Sequence, residues 1–207
     1  MLVVCAIIAV ITMVLLFRQS KFDSSTVMRS LAYSIALSVR QAQVYGISVV
    51  GTGSGAPVFA PAYGVDVGNG TSYIVFADLS GNNIYDSGYT DGNGNHELVQ
   101  TFNINNGYTI SEVCAIGSGV KNCSGSDTSG TGSTNITYLD IVFKRPNPDA
   151  IIVPLNSSHG LVAGTYGSGY IQIKASDGTT RSIRVYTTGE MSVEPPCTQP
   201  DKSVTAC

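Results

Sequence analysis

Hydrophobic positions fall into two regimes along the chain. From Met1 to Phe17 the sequence MLVVCAIIAVITMVLLF is apolar on every side and carries no charge. Beyond it, Met28, Leu31, Ile35 and Ala42, with Ala32 and Val39 beside them, recur at i, i+3, i+4 and i+7, while Arg29, Ser34, Arg40, Gln41 and Gln43 take the other face. No proline precedes Pro57 and Gly46 offers a stop, so the spacing predicts one long helix from about Leu2 to Tyr45. From Ile47 onward the period falls toward two. SYIVFAD, LVQTFNI, YTISEV, ITYLDIVF, AIIV, YIQIKA and RSIRVYT read as strands separated by Gly, Asn, Asp and Ser clusters. In the last pair Ile171 and Ile173 alternate with Gln172 and Lys174, Asp177-Gly178 marks a turn, and Ile183 and Val185 alternate with Ser182 and Arg184, which predicts a hairpin. The expected fold class is α+β. A long N-terminal helix over 1–46, apolar in its first half and amphipathic in its second, packs on an antiparallel β-sheet domain over 47–207.

The uncharged run spans roughly 25 Å as a helix, the lower limit for a bilayer core. Its 11 Leu, Ile, Val and Phe residues favour insertion by about 3 to 7 kcal/mol in total. A transmembrane helix over 1–17 is therefore expected, and no small-x-small site in the following FRQSKFDSS marks a cleavable signal peptide. Arg18 and Lys21 would hold the following side in the cytoplasm. Cys114, Cys123, Cys197 and Cys207 argue for export instead, because two closely spaced pairs in the polar region suit disulfides. Proximity favours Cys114 with Cys123 and Cys197 with Cys207, although four cysteines allow three connectivities. Cys5 reads as a small apolar residue of the membrane run. The segment Gly117 to Asn135, GSGVKNCSGSDTSGTGSTN, reads as an exposed loop.

Charge then narrows the function. Net charge is −3 with 11 Lys and Arg, too few cations for a broad nucleic-acid face. Only His96 and His159 are present, far apart, and no nucleophile-elbow, P-loop or metal-protease pattern occurs, so an enzyme is not expected. One loop does carry chemistry. DLSGNNIYD places Asp78, Ser80, Asn82, the Ile84 carbonyl and Asp86 at alternating oxygen positions suited to calcium, with Glu97 or Asp91 able to complete the shell. Asn83 stands where glycine is usual and Tyr89 where a bidentate glutamate is usual, so the same residues also read as a long Asx-rich turn.

The string LVVCAIIAVI, leading into an amphipathic helix that ends QAQVYGISV, resembles the amino-terminal region of type IV pilins and type II secretion pseudopilins, above all the H-type pseudopilins and related minor pilins. The resemblance covers the helix and, in layout only, the later strands. It implies a structural subunit of a filament whose core is built from the apolar helices, with Leu2, Val3, Val4, Ile7, Ile8 and Ile11 as assembly residues. It further implies a basic leader, a processing site and a glutamate ahead of Met1; either the start as given falls at an internal methionine, the expected case, or the protein begins at Met1. The implied partners are identical or homologous subunits, an inner-membrane platform, a prepilin peptidase and an assembly ATPase, with membrane lipid before assembly. The implied location is the bacterial inner membrane, then an extracellular pilus or periplasmic pseudopilus. A Cys197 to Cys207 disulfide would fasten the tail much as pilins fasten theirs.

Alternatives within the family are a secretion pseudopilin or a DNA-uptake minor pilin. Some minor pilins bind DNA through late arginines, and Lys174, Arg181 and Arg184 are the corresponding cations here, with Lys174 and Arg184 on one strand face. From another class, a membrane-anchored surface binding module also fits.

Overall fold

The computed structural model describes residues 2–48, 51–52, 58–59, 62–117, 120–125, 129–130 and 136–195. Helix α1 runs Leu2–Ile47, with side chains described over 3–13 and 25–47. Thirteen strands follow: β1 Gly51–Thr52, β2 Val58–Phe59, β3 Ala62–Gly68, β4 Ser72–Asp78, β5 Leu98–Asn103, β6 Thr109–Gly117, β7 Val120–Cys123, β8 Ser129–Gly130, β9 Tyr138–Lys144, β10 Ala150–Leu155, β11 Tyr166–Lys174, β12 Thr180–Tyr186 and β13 Met191–Glu194.

The strands form two principal antiparallel sheets. One has the order β10-β9-β3-β4-β5 and the other β13-β12-β11-β6-β7-β8, while β1 and β2 pair separately. A single core joins them to the helix. Met28, Ala32, Ile35, Val39 and Ala42 meet Val65, Val67, Leu139, Ile141 and Phe143 of the first sheet and Val113, Ile171, Ile183 and Val185 of the second. Period-two alternation decides which strand residues reach this core: Val65 and Val67 turn inward on β3, whereas Gly64 and Asp66 face outward. The terminal hairpin is present, with Ile171 opposite Ile183 and Gly178 at φ 86° in the turn, a conformation that glycine adopts without steric cost.

This architecture corrects the expected fold class. The molecule is mostly β, with two antiparallel sheets closing on one core in place of the single sheet expected, and the membrane half expected of the helix is not borne out. Among the described residues no helix is long and apolar enough to cross a membrane. The physical reason lies in the strands that periodicity conceals. AYGVDVG, interrupted by glycine and an aspartate, is the central strand β3, and its pairing with both β4 and β9 creates the first sheet. Gly117 to Asn135 is likewise not all loop, because β7 pairs with β6 and with β8.

Gly46 also acts differently from a stop. The helix continues to Ile47, and a Cβ at Gly46 would collide with the carbonyl of Phe143 on β9. The glycine permits backbone contact between helix and sheet.

Candidate functional site

Two regions carry the candidate residues: the outer surface of α1 and the loop between β4 and β5.

On α1, Val3, Val4, Ile7, Ile8 and Ile11 are all exposed, from 54% at Ile7 and Ile11 to 72% at Val3, and Val10 and Met13 join them. The side chain of Leu2 lies outside the described residues. The exposed apolar surface resumes farther along. Tyr33, Leu37, Val44 and Ile47 are exposed, and their spacings of four, seven and three residues place them on one face, opposite the core residues Met28, Ala32, Ile35, Val39 and Ala42. The helix therefore carries two apolar stripes, one buried and one open. The outer stripe is absent from the sequence reading because Arg40 and its polar neighbours dominate that face; Arg29 stacks its guanidinium over Tyr33 at 6.0 Å.

The β4–β5 loop is organised by two buried carboxylates. Asp78 Oδ1 accepts the amide hydrogens of Gly81 at 2.7 Å and Asn82 at 3.1 Å, together with the Ser80 hydroxyl at 3.2 Å, and its Oδ2 accepts the amide of Asn83 at 3.0 Å. Glu97 Oε1 accepts the amides of Leu79 and Ser80, while Oε2 accepts that of Asp86 at 2.8 Å. Asn82 supplies both halves of its amide, accepting from the Ile84 amide and donating to Asp86 Oδ2. Asn83 adopts φ 62°, a left-handed turn that asparagine tolerates. Burial pushes the Glu97 carboxyl up, against the pull of the Asp86 and Ser80 amides.

The structure thus gathers Asp78, Ser80, Asn82, Ile84, Asp86 and Glu97 into one loop. In this arrangement the oxygens of Asp78, Asn82, Asp86 and Glu97 take hydrogen bonds from within the loop. Asp91 organises a separate turn, accepting the amides of Asn93 and Asn95. Among the described residues, the only convergence of three or more acidic, histidine or cysteine ligand atoms within 4.8 Å is Glu112, Cys114 and Cys123. Its sulfurs are joined as a disulfide between cross-strand partners on β6 and β7, with Cα atoms 4.1 Å apart. Cys197 and Cys207 lie outside the described residues.

The three cations of the terminal hairpin do not form one patch. Lys174 is exposed and shares a face with Arg184. Arg184 is paired with Glu194 at 3.6 Å, while Arg181 lies opposite Ile173 on the other face.

One cleft accompanies the loop. Tyr85, Asp86, Ser87, Gly88, Tyr89 and His159 line a depression of about 410 Å³, with His159 stacked on Tyr138 at 4.3 Å between ring centroids. No protein-family model, curated protein or solved structure matches the chain.

Beneath Tyr85 lies a pair that the sequence reading missed. Asp66 on β3 and Asp140 on β9 are register partners on the outer face of the sheet, and Asp140 Oδ2 accepts the Tyr85 amide at 2.8 Å. Burial first, and then the charge of Asp66, holds the Asp140 carboxyl well above the ordinary carboxylate range. The signal was available in the lone aspartate of ITYLDIVF, an acidic residue in the middle of a buried strand.

Proposed function

We propose that this chain is a structural subunit of a type IV pilus-like filament, assembled through the apolar outer surface of α1. The observation supporting this reading is the continuous exposure of Val3, Val4, Ile7, Ile8 and Ile11 on a molecule whose remaining apolar residues largely close on their own core. Burying one such side chain completely contributes about 1.5 to 3 kcal/mol, so several together supply a strong drive for association. Identical subunits offer that cover by presenting the same segment, and lipid offers it before assembly. The likeness of LVVCAIIAVI and its following helix to pilins and pseudopilins points the same way. It brings with it the inner-membrane platform, prepilin peptidase and assembly ATPase as partners. A pseudopilus and a pilus are both compatible with this surface.

A surface binding module is the second reading, favoured by the cleft between Tyr85, Tyr89 and His159. Detergent removal from the purified full chain, followed by electron microscopy, separates the two. The filament reading expects ordered fibres from the native chain and dispersed particles from Ile7→Asp with Ile11→Asp. A native chain that remains monomeric, or forms only amorphous aggregate, contradicts it.

A further inference from the structure

The outer face of the first sheet carries two acids where strand residues usually meet apolar cover or water. Asp66 and Asp140 are directly opposed across β3 and β9 and are 7% and 0% exposed. Each has one oxygen, Oδ1, that is buried without a hydrogen-bond donor. As direct register partners, the two carboxyls stand side by side on the same face of the sheet. Two ionised carboxylates offer only acceptors, so neither can satisfy the other, and their like charges repel strongly in a low-dielectric setting. One proton resolves both problems by turning one carboxyl into a donor.

The neighbouring groups act on that proton in both directions. From the β4–β5 loop come Tyr85, Asp86 and Glu97; the charge of Asp86 pushes Asp140 up, and that of Glu97 acts on the Tyr85 hydroxyl. From the turn after β10 comes His159, whose electrostatic influence pulls the Asp66 carboxyl down and opposes the proton, though less than burial favours it, and from β9 comes Tyr138, on which His159 stacks. The link to the loop is direct: Asp140 Oδ2 accepts the Tyr85 amide, and the Tyr85 ring packs with Phe76 and Val142 on the same outer face.

We propose that Asp66 and Asp140 hold one proton between them at neutral pH, and that this proton latches the β4–β5 loop onto the sheet. Loss of the proton leaves two buried negative charges under Tyr85. The loop then lifts, opening the cleft formed by Tyr85, Asp86, Tyr89 and His159. This latch is independent of the assembly surface on α1.

Burial pushes both carboxyls up, which sets the sign. Above the ordinary carboxylate range the unfolded chain sheds this proton while the native pair keeps it. The contribution of the pair therefore falls as pH rises toward and through its own titration. Hydrogen exchange on the full chain in detergent, read on peptides containing Tyr85 and corrected for intrinsic pH dependence, tests the latch. Above the titration of the pair, exchange at Tyr85 is expected to accelerate by about tenfold for each pH unit. Asp66→Asn supplies a permanent donor to Asp140 and is expected to give exchange independent of pH. Asp140→Asn, which can accept from Tyr85 and donate to Asp66, is expected to do the same. Flat exchange in the native chain from neutral pH to the alkaline limit of its folded state, or a native-like rise in both variants, overturns the proposal. Loss of the pH dependence on adding millimolar calcium chloride also overturns it, by assigning the pair to a cation instead of a proton.

Discussion

The carboxylate of Glu97 accepts the amide hydrogen of Asp86 at 2.8 Å, tying the end of the β4–β5 loop back onto its middle. The same side chain holds the amides of Leu79 and Ser80, so one buried acid brackets the loop at three points. Glu97→Ala would leave three donors seeking partners. It should lower unfolding stability by about 3 kcal/mol, measured by chemical denaturation, because buried donors left unsatisfied bear their full desolvation cost. Glu97→Gln, which retains one acceptor, should lose less.

Contact between Gly46 and Phe143 gives a second prediction. Any side chain at position 46 meets the Phe143 carbonyl, so helix and sheet must separate to admit it. Gly46→Ala is expected to cost about 1 to 3 kcal/mol, although alanine favours helix, and thermal melting would show the direction at once.

The Cys114–Cys123 bridge closes a short loop between β6 and β7. Its replacement by two alanines should lower stability by roughly 2 to 3 kcal/mol through greater freedom of the unfolded chain. Equal denaturation midpoints for the two proteins would refute that contribution.

The two stripes of α1 should separate folding from assembly. Ile35→Ala, in the core, is expected to destabilise by about 2 to 5 kcal/mol. Leu37→Glu, at a site 68% exposed, should leave the melting temperature almost unchanged while weakening association. Melting and sedimentation of both variants would check the contrast.

Local patterns in the sequence were most legible where a single face is buried. The β11–β12 hairpin follows directly from Ile171, Ile173, Ile183 and Val185, and the inner stripe of α1 from Met28, Ile35, Val39 and Ala42. The central strand β3 was hidden because Gly64, Asp66 and Gly68 occupy its outer positions and resemble loop residues. Gly64 is needed there because Phe76 lies against it, and Asp66 is tolerated because Asp140 stands opposite. Missing that strand turned two sheets into one and concealed the acid pair. In the loop, the spacing of Asp78, Asn82 and Asp86 brings their oxygens together, and backbone amides demand the same oxygens that a cation would.

Assembly through the apolar surface of α1 is tested most directly at Cys5, an exposed free thiol within that surface. The measurement is mild oxidation of the assembled full chain followed by mass spectrometry of linked peptides. Filament packing through this segment predicts Cys5 joined to Cys5 of another copy, with the link lost in Ile7→Asp with Ile11→Asp. Cys5 remaining freely alkylated throughout the high-molecular-mass fraction would contradict the account.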